Sequence, residues 1–497
     1  MVFAARRRLK LLTLLPITPL LLLCLSTSPS LAFSDEVMDT FLDGGAATLA
    51  RGGLERLPRQ PETLDFDSPL FLDSNRSYRV ETGYEGKLTA KVRDGRWKGS
   101  AADSEKLHTA VAAPFSLLGD KVEGSIAAGY GFTGFELRAV NEREETYVHS
   151  EQRFESKKAG IYLNAFGRVS LGASIIDTQY RESVQAPVQL EVALTKWLQV
   201  GYRHAYNNFA TSMELRLLGH EGNLPMRSIE SRDELYLVLD HSPVRAKLVQ
   251  ELGYGKNRKA EAKLELPASW YLVGEYERRE FAEIDQDFTV DGIPSGYLRG
   301  DLQKKMLRAG VGARLSSRWS LEANYRRSDI SFHGGGVASS LAVAGFWPSL
   351  IVGNYNYMTS ASISADQYHV AGEFQGDKLS FGIGMQYIDL KPAAQVDYWR
   401  NTILGLGSSN AAVKKLHVRR IGMIFLGTGI GYKWKNLEAK YAVGQFIPVS
   451  VTDDDPDEPG APPGAPEDSK SVLSRIAEKI RHYPGGGLHR LLVTVTF

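Results

Sequence analysis

Cysteine is nearly absent: the 497 residues hold one, Cys24, within the first 32 positions. If that stretch leaves as a leader, the rest can form no disulfide, no Cys-ligated zinc or iron–sulfur site, no thiolate nucleophile and no covalent haem attachment. An excess of charge is absent too, since 59 Lys and Arg stand against 58 Asp and Glu. A nucleic-acid binder needs a basic excess, so that class drops out. Long apolar runs are also scarce. Beyond Phe33 none reaches the ~18 residues of a membrane helix, and the nearest, Val337 to Val352, contains Pro348. If the chain lives in a membrane, it does not cross as helices.

What is present begins with a leader. Residues 1–32 carry Arg6, Arg7, Arg8 and Lys10, an apolar stretch from Leu11 to Leu25 broken by Pro16 and Pro19, and small residues at Ser30 and Ala32. These are the three parts of a cleaved signal peptide, with cleavage expected before Phe33. A lipoprotein reading through Cys24 is disfavoured by Leu23, where a small residue is wanted.

From Tyr78 to Arg93 the even positions read Tyr78, Val80, Thr82, Tyr84, Gly86, Leu88, Ala90, Val92, while charged residues dominate the odd ones. Alternation of this kind gives a strand one apolar and one polar face. Sixteen residues of it exceed an ordinary globular strand of roughly 5–6 residues. The pattern recurs in pairs joined by short polar turns. These fall at Gly119 and Asp120, Gly167 and Arg168, Thr195 and Lys196, Ser242 and Pro243, Pro267 to Ser269, Ser316 to Arg318, Gly376 to Lys378, and Lys435 and Asn436. The other connections are longer: Asn141 to Ser156, Leu218 to Ser231, Phe281 to Gln303, Gly334 to Ala365, Lys391 to Arg419 and Ser450 to Gly487.

Eight short turns join sixteen strands, and the Tyr78 strand and the Leu488 to Phe497 strand bring the total to eighteen, with sixteen and twenty as the neighbouring counts. The fold expected is all-β: a transmembrane antiparallel barrel with short periplasmic turns and long extracellular loops. Its domains are a cleaved signal peptide over 1–32, a periplasmic N-terminal segment over 33–76 and the barrel over 77–497. Within the N-terminal segment, Phe33 to Leu57 has a short helical pattern stopped at Gly44 and Gly45, and it either stays in the periplasm or plugs the barrel mouth.

The last residues set Leu491, Val493, Val495 and Phe497 on one face. Here the chain resembles the outer-membrane β-barrel family of diderm bacteria, whose final strand alternates in this way and ends in an aromatic. The resemblance implies an outer-membrane location and recognition of those four residues by the barrel-assembly machinery. It assigns no subfamily.

A barrel of this size encloses water, so the polar face of each ladder is read as lumen lining: Lys259, Glu261, Lys263, Glu265, Glu275, Glu277, Arg308, Arg314, Glu322 and Arg326. Both signs alternate, which suits pairing across strands; the sharper alternative is a sorted field across a constriction that orients a charged solute. Gly382, Gly384, Gly427, Gly429 and Gly431 form a smooth inward patch, where another segment is expected to approach the backbone. The candidates are Gly334 to Ala365, with Phe346 and Trp347, and Ser471 to Tyr483, with Leu473, Ile476 and Ile480 on one helical face.

Other motifs carry less. Gly129, Gly131 and Gly134 spell a dinucleotide-type string inside a strand pattern, and His333 to Gly336 spells HGGG without the G-x-S-x-G partner of a lipase. Asp453, Asp454 and Asp455 lack the spacing of a calcium loop. No cofactor or metal is called for, and no catalytic residues are assigned. The function expected is a porin-like channel for small hydrophilic solutes. The alternatives are a conduit barrel, for polysaccharide export or as the sheath of a separate multihaem cytochrome, and a barrel lipid hydrolase.

Overall fold

In the computed structural model the chain closes on itself as one antiparallel sheet. The structure describes residues 46–51, 53–54, 57, 62–73, 77–86, 90–94, 97–118, 121–141, 146–178, 183–217, 220–252, 257–280, 284–290, 293–339, 353–402, 409–416, 420–452 and 487–497. The leader, Phe346, Trp347, the aspartates 453–455 and the segment 471–483 lie outside these. No helix among the described residues is long and apolar enough to cross a membrane.

The strands begin with β1 (Arg79–Gly86) and β2 (Ala90–Asp94), so the long alternating stretch near Tyr78 is divided in two. Hairpins follow: β3 (Trp97–Leu117) with β4 (Val122–Asn141), and β5 (Thr146–Ala165) with β6 (Val169–Thr178). Then come β7 (Ser183–Ala193) with β8 (Leu198–Leu217), and β9 (His220–His241) with β10 (Val244–Leu252). β11 (Arg258–Glu265) pairs β12 (Trp270–Glu280), and β13 (Ile284–Val290) precedes the hairpin of β14 (Ile293–Arg314) and β15 (Trp319–Ser339). β16 (Gly353–Gln375) pairs β17 (Leu379–Thr402), β18 (Ser409–Leu416) follows, and β19 (Arg420–Trp434) pairs β20 (Leu437–Thr452). β21 (Leu488–Thr496) comes last and pairs β20 on one side and β1 on the other, with Thr82 opposite Val493. That contact seals the ring.

Eighteen strands make the wall, and β2, β13 and β18 are short additions that pair above it with β3, β14 and β17. Seven of the eight short turns fall where the alternation breaks in sequence, and the other, at Gly119 and Asp120, lies outside the described residues. The long connections are a different matter. Much of what reads as loop is strand: β9 runs back to His220, and β15 and β16 stay paired out to Ser339 opposite Asn354. Beyond the bilayer both faces of a strand meet water, so the period-2 signal fades while the backbone ladder continues. His333 to Gly336 therefore belong to β15, and Gly129, Gly131 and Gly134 to β4.

The alternation maps onto the two faces. Along β4, Ile126 and Tyr130 are exposed on the outside while Ser125 and Ala127 are buried inside. Leu307, Val311, Leu321, Ile383 and Ile430 are exposed in the same way. Tyr78, Trp197, Trp270, Trp319 and Trp434 stand exposed at or near the short-turn end, as an interfacial aromatic girdle would.

Closure predicts a specific sensitivity. Replacing Val493 by proline removes a backbone donor from a strand paired on both sides, in surroundings that supply no water to its partner. The expected outcome of Val493→Pro is loss of the heat-modifiable, compact band on a denaturing gel. A fully heat-modifiable variant would contradict the seal.

Candidate functional site

The site is the bore. All ten candidate lining residues lie on β11, β12, β14 and β15, at positions that alternate with exposed apolar neighbours such as Leu264, Leu272, Leu307 and Leu321. They do not line an open passage evenly. Glu261, Glu275, Arg308, Glu322 and Arg326 are almost wholly buried, and Arg308 keeps only 1 % of its surface.

Their charges meet one another along the wall. Lys259 Nζ bridges the directly opposed carboxylates Glu261 and Glu275, at 2.8 and 3.8 Å. Lys263 and Arg314 approach Glu265 at 3.8 and 3.2 Å, and Lys304 approaches Glu277 at 3.5 Å. Arg308 reaches Glu322 at 3.2 Å, and Arg326 donates through Nε to Met306 Sδ at 2.9 Å. Side-by-side pairing of both signs satisfies buried charges that would otherwise carry a large desolvation cost.

Glu322 is the hub, and one of its partners comes from outside the wall. It accepts from Tyr271 Oη at 3.0 Å and Asn324 Nδ2 at 2.8 Å, and it pairs with Arg308 and, at 3.1 Å, with Arg51. Arg51 also pairs with Glu373 at 3.4 Å. The His369 Nε2–H donates to the Arg51 carbonyl, while Asn324 Nδ2 donates to His369 Nδ1 at 3.3 Å. One residue of the N-terminal segment is thus gripped by three neighbouring lumen side chains.

The whole described part of that segment lies inside the barrel. Of the two expected placements for the N-terminal segment, in the periplasm or as a plug of the barrel mouth, the described residues between 46 and 73 take the second, packing inside the bore near its short-turn end. The short helix α1 (Ala46–Ala50) packs on β17, β19, β20 and β21, and a 3-10 turn at Pro69–Leu72 packs across the ring on β4 to β7. The helix begins just after Gly44 and Gly45, and the helical pattern expected ahead of that pair lies outside the described residues. Its first N–H groups have no partners within the helix, and the Glu62 carboxylate accepts from Ala46 and Ala47 at 2.9 and 3.0 Å. Leu64 N–H donates to Glu81 at 2.7 Å, Arg79 donates to the Glu62 carbonyl at 2.8 Å, Arg203 donates to the Asp67 carbonyl at 2.7 Å, and Ser125 and Ser174 donate to the carbonyls of Leu72 and Phe66.

Apolar packing supplies the rest. Leu49, Leu54, Leu64, Phe66 and Leu72 are at most 2 % exposed, and each such side chain is worth ~1.5–3 kcal/mol relative to exposure. The inward glycines are what let them close in. Gly382 and Gly429 face each other on β17 and β19, and a Cβ on either would sit 3.0 or 2.6 Å from the Ala50 methyl. On the far side, a Cβ on Gly172 would stand 2.6 Å from the Pro69 carbonyl carbon. The smooth patch does receive a segment of the chain, but that segment is α1. Of the expected candidates, Gly334 to Ala365 continues β15 and β16 over its described flanks, and Ser471 to Tyr483 is outside the described residues.

Beside this plug a cavity of about 990 Å³ remains, lined by Arg51, Glu62, Arg79, Gln189, Lys247 and Lys263 among others. Lys247 and Lys263 lie over the rings of Tyr236 and Tyr271, at 5.5 and 4.5 Å from their centroids. Sequence reading missed Arg51, Glu62, His369 and Glu373. The available signal was the density of large apolar residues between positions 46 and 73, far above what an exposed linker carries.

No protein-family model matches the chain, and no curated protein matches it in sequence. Among solved structures it is similar to OccK7 (OpdD) of Pseudomonas aeruginosa, at 10% identity over 85% of this chain and 98% of that one, with a TM-score of 0.40. OpdQ of Pseudomonas aeruginosa gives 12% identity, 85% and 97% coverage and 0.39. A Pseudomonas aeruginosa FadL homologue gives 11%, 91% and 98%, and 0.35. Values this low leave the architecture resting on this chain's own strand pairing, which makes it a β-barrel of the outer-membrane type.

Two substitutions test the plug contacts. Glu322→Ala leaves the buried Arg51 and Arg308 short of a counter-charge, a loss of ~3 kcal/mol or more. In a Cys24→Ser background, a maleimide should then label Thr48→Cys roughly 100-fold faster. Gly429→Leu should expose the same position by forcing α1 off the wall. Unchanged labelling in both would mean that these contacts do not hold the segment.

Proposed function

Taking an eighteen-stranded outer-membrane-type barrel as the premise, we propose that the chain is a passive channel for small hydrophilic solutes, narrowed from within by its own N-terminal segment. The observation that carries this reading is the bore itself: a polar, charge-paired wall, a plug seated in a glycine cradle, and a cavity of about 990 Å³ beside it. On this reading the short turns face the periplasm, and the cavity at that end is the inner vestibule.

Solute would enter at the long-hairpin end, pass the wall of β11 to β15 and leave past Arg51 and Lys263. Near-balanced charge along that wall supports passage of polar solutes of either sign over strong anion or cation selection. A plug drawn from the same polypeptide supports a channel over a sheath for a separately encoded multihaem cytochrome, because the space is already taken up. No chemical step is part of the proposal. The final strand, β21, with Leu491, Val493 and Val495 on its outer face and Phe497 just after it, is the part read by the barrel-assembly machinery.

Planar-bilayer recording tests this reading. The full chain should give small ohmic steps, and a variant lacking residues 46–73 should give steps several-fold larger. Equal conductance would remove the narrowing role, and absence of conductance from both would remove the channel.

A further inference from the structure

The outer face carries a second charged feature that solute passage does not use. On β12 the outward positions run Trp270, Leu272, Gly274, Tyr276 and then Arg278; on β14 they run Ala313, Val311, Ala309, Leu307 and then Lys305. On β11, Ala260 is followed by Arg258. The apolar belt therefore ends in a cation on three consecutive strands of the wall. The three are in register: Arg258 stands directly opposite Arg278, and Arg278 directly opposite Lys305. Opposed residues are only ~4.5–5.5 Å apart at Cα, and like charges so placed repel.

The acids nearby offset that repulsion only in part. Arg278 pairs with Glu280 at 2.8 Å. Arg258 and Lys305 are exposed and have no ion-pair or hydrogen-bond partner among the described residues. On the sides away from β12, Arg258 faces Gln250, and Lys305 faces Asp329, whose carboxylate is engaged by Arg327 at 3.2 Å. The next sector, at the same edge of the belt, is built the opposite way. There Arg327 pairs with Asp329 at 3.2 Å, Lys391 pairs with Asp366 and Asp389 at 2.7 and 3.4 Å, and Tyr325 donates to Asp366 at 2.7 Å. One sector neutralises itself, and its neighbour leaves a cationic row standing over exposed Tyr276 and Leu307.

We propose that Arg258, Arg278 and Lys305 bind the phosphate of a lipid in the leaflet at the long-hairpin end, with its acyl chains lying on Leu307, Tyr276 and Leu272. Position argues for a lipid rather than a free ion. The row begins one outward position, ~7 Å along the strand, beyond the last apolar side chains, the depth at which interfacial aromatics give way to headgroups. Two guanidinium groups and an ammonium on one flat face match a phosphomonoester in charge and donor number. The outer-membrane reading identifies the ligand as a phosphorylated glycolipid of the external leaflet.

The test uses the full chain purified in neutral detergent, with bound lipid read by native mass spectrometry. Probes are diphosphoryl lipid A, the same lipid stripped by phosphatase, and inorganic phosphate. The wild type should retain diphosphoryl lipid A and lose it as salt is raised, because exposed charges are screened. The Arg258→Gln, Arg278→Gln, Lys305→Gln triple variant should bind at least tenfold more weakly, and a paired-sector control, Arg327→Gln with Lys391→Gln, should bind as the wild type does. Equal binding by the triple variant, equal binding of the stripped lipid, or displacement by inorganic phosphate at matched concentration would each overturn the proposal. Heat-modifiable mobility reports folding of the triple variant, and Lys305→Gln alone should show a partial loss if the triple does not fold. Conductance of the triple variant in neutral bilayers separates failure of this site from failure of the channel reading.

Discussion

A peptide group that loses its hydrogen bond inside hydrocarbon finds no water to replace it, and most features of this protein follow from avoiding that loss. A sheet can meet the condition only by joining its first strand to its last. The pairing of β1 with β21, Arg79 opposite Thr496 through Gly86 opposite His489, is that join. Once the ring is sealed, each strand has one face in lipid and one in the bore, so the alternation of side chains is a consequence of closure.

Closure also creates the problem that the interior solves. A ring of this size is too wide for wall side chains alone to fill, yet Arg308, Glu322 and Arg326 are buried. The chain supplies its own filling. The described residues between 46 and 73 lie near the short-turn end, press Leu49 and Ala50 onto a wall stripped of side chains at Gly382, Gly429 and Gly444, and hand Arg51 to Glu322 and Glu373. Apolar contact and ion pairing are thus arranged on one element, so loosening one weakens the other. The same sheet turns its other face to lipid, where the charges pair over β15 to β17, while over β11 to β14 Arg258 and Lys305 stand without an ion-pair partner among the described residues.

The wall was legible in the sequence and its contents were not. Turns such as Thr195 and Lys196 or Lys435 and Asn436 interrupt ladders that alternate without fault, because the lipid boundary imposes apolarity on every second residue. Past that boundary nothing imposes it: His220 to Ser231 shows no alternation and is strand all the same. The glycine patch does mark a place of close approach, but its occupant, Ala50, precedes the barrel in sequence and does not come from a later loop. The described residues between 46 and 73 hold a five-residue helix, a 3-10 turn and irregular backbone, which no single periodicity flags. Their destination depends on Glu62, Arg51 and Leu72 meeting strands far away in sequence, which pattern reading along one segment does not see.

The central claim is a sealed cylinder with lipid outside and a polar, partly filled bore inside. Spin labels placed one at a time at positions 125 to 130 of β4, in a Cys24→Ser background and in lipid bilayers, test it most directly. Lipid-soluble oxygen should reach labels at Ile126, Ala128 and Tyr130 and be excluded from Ser125, Ala127 and Gly129, a strict period of two. A flat profile, or one repeating every three to four residues, would contradict the account.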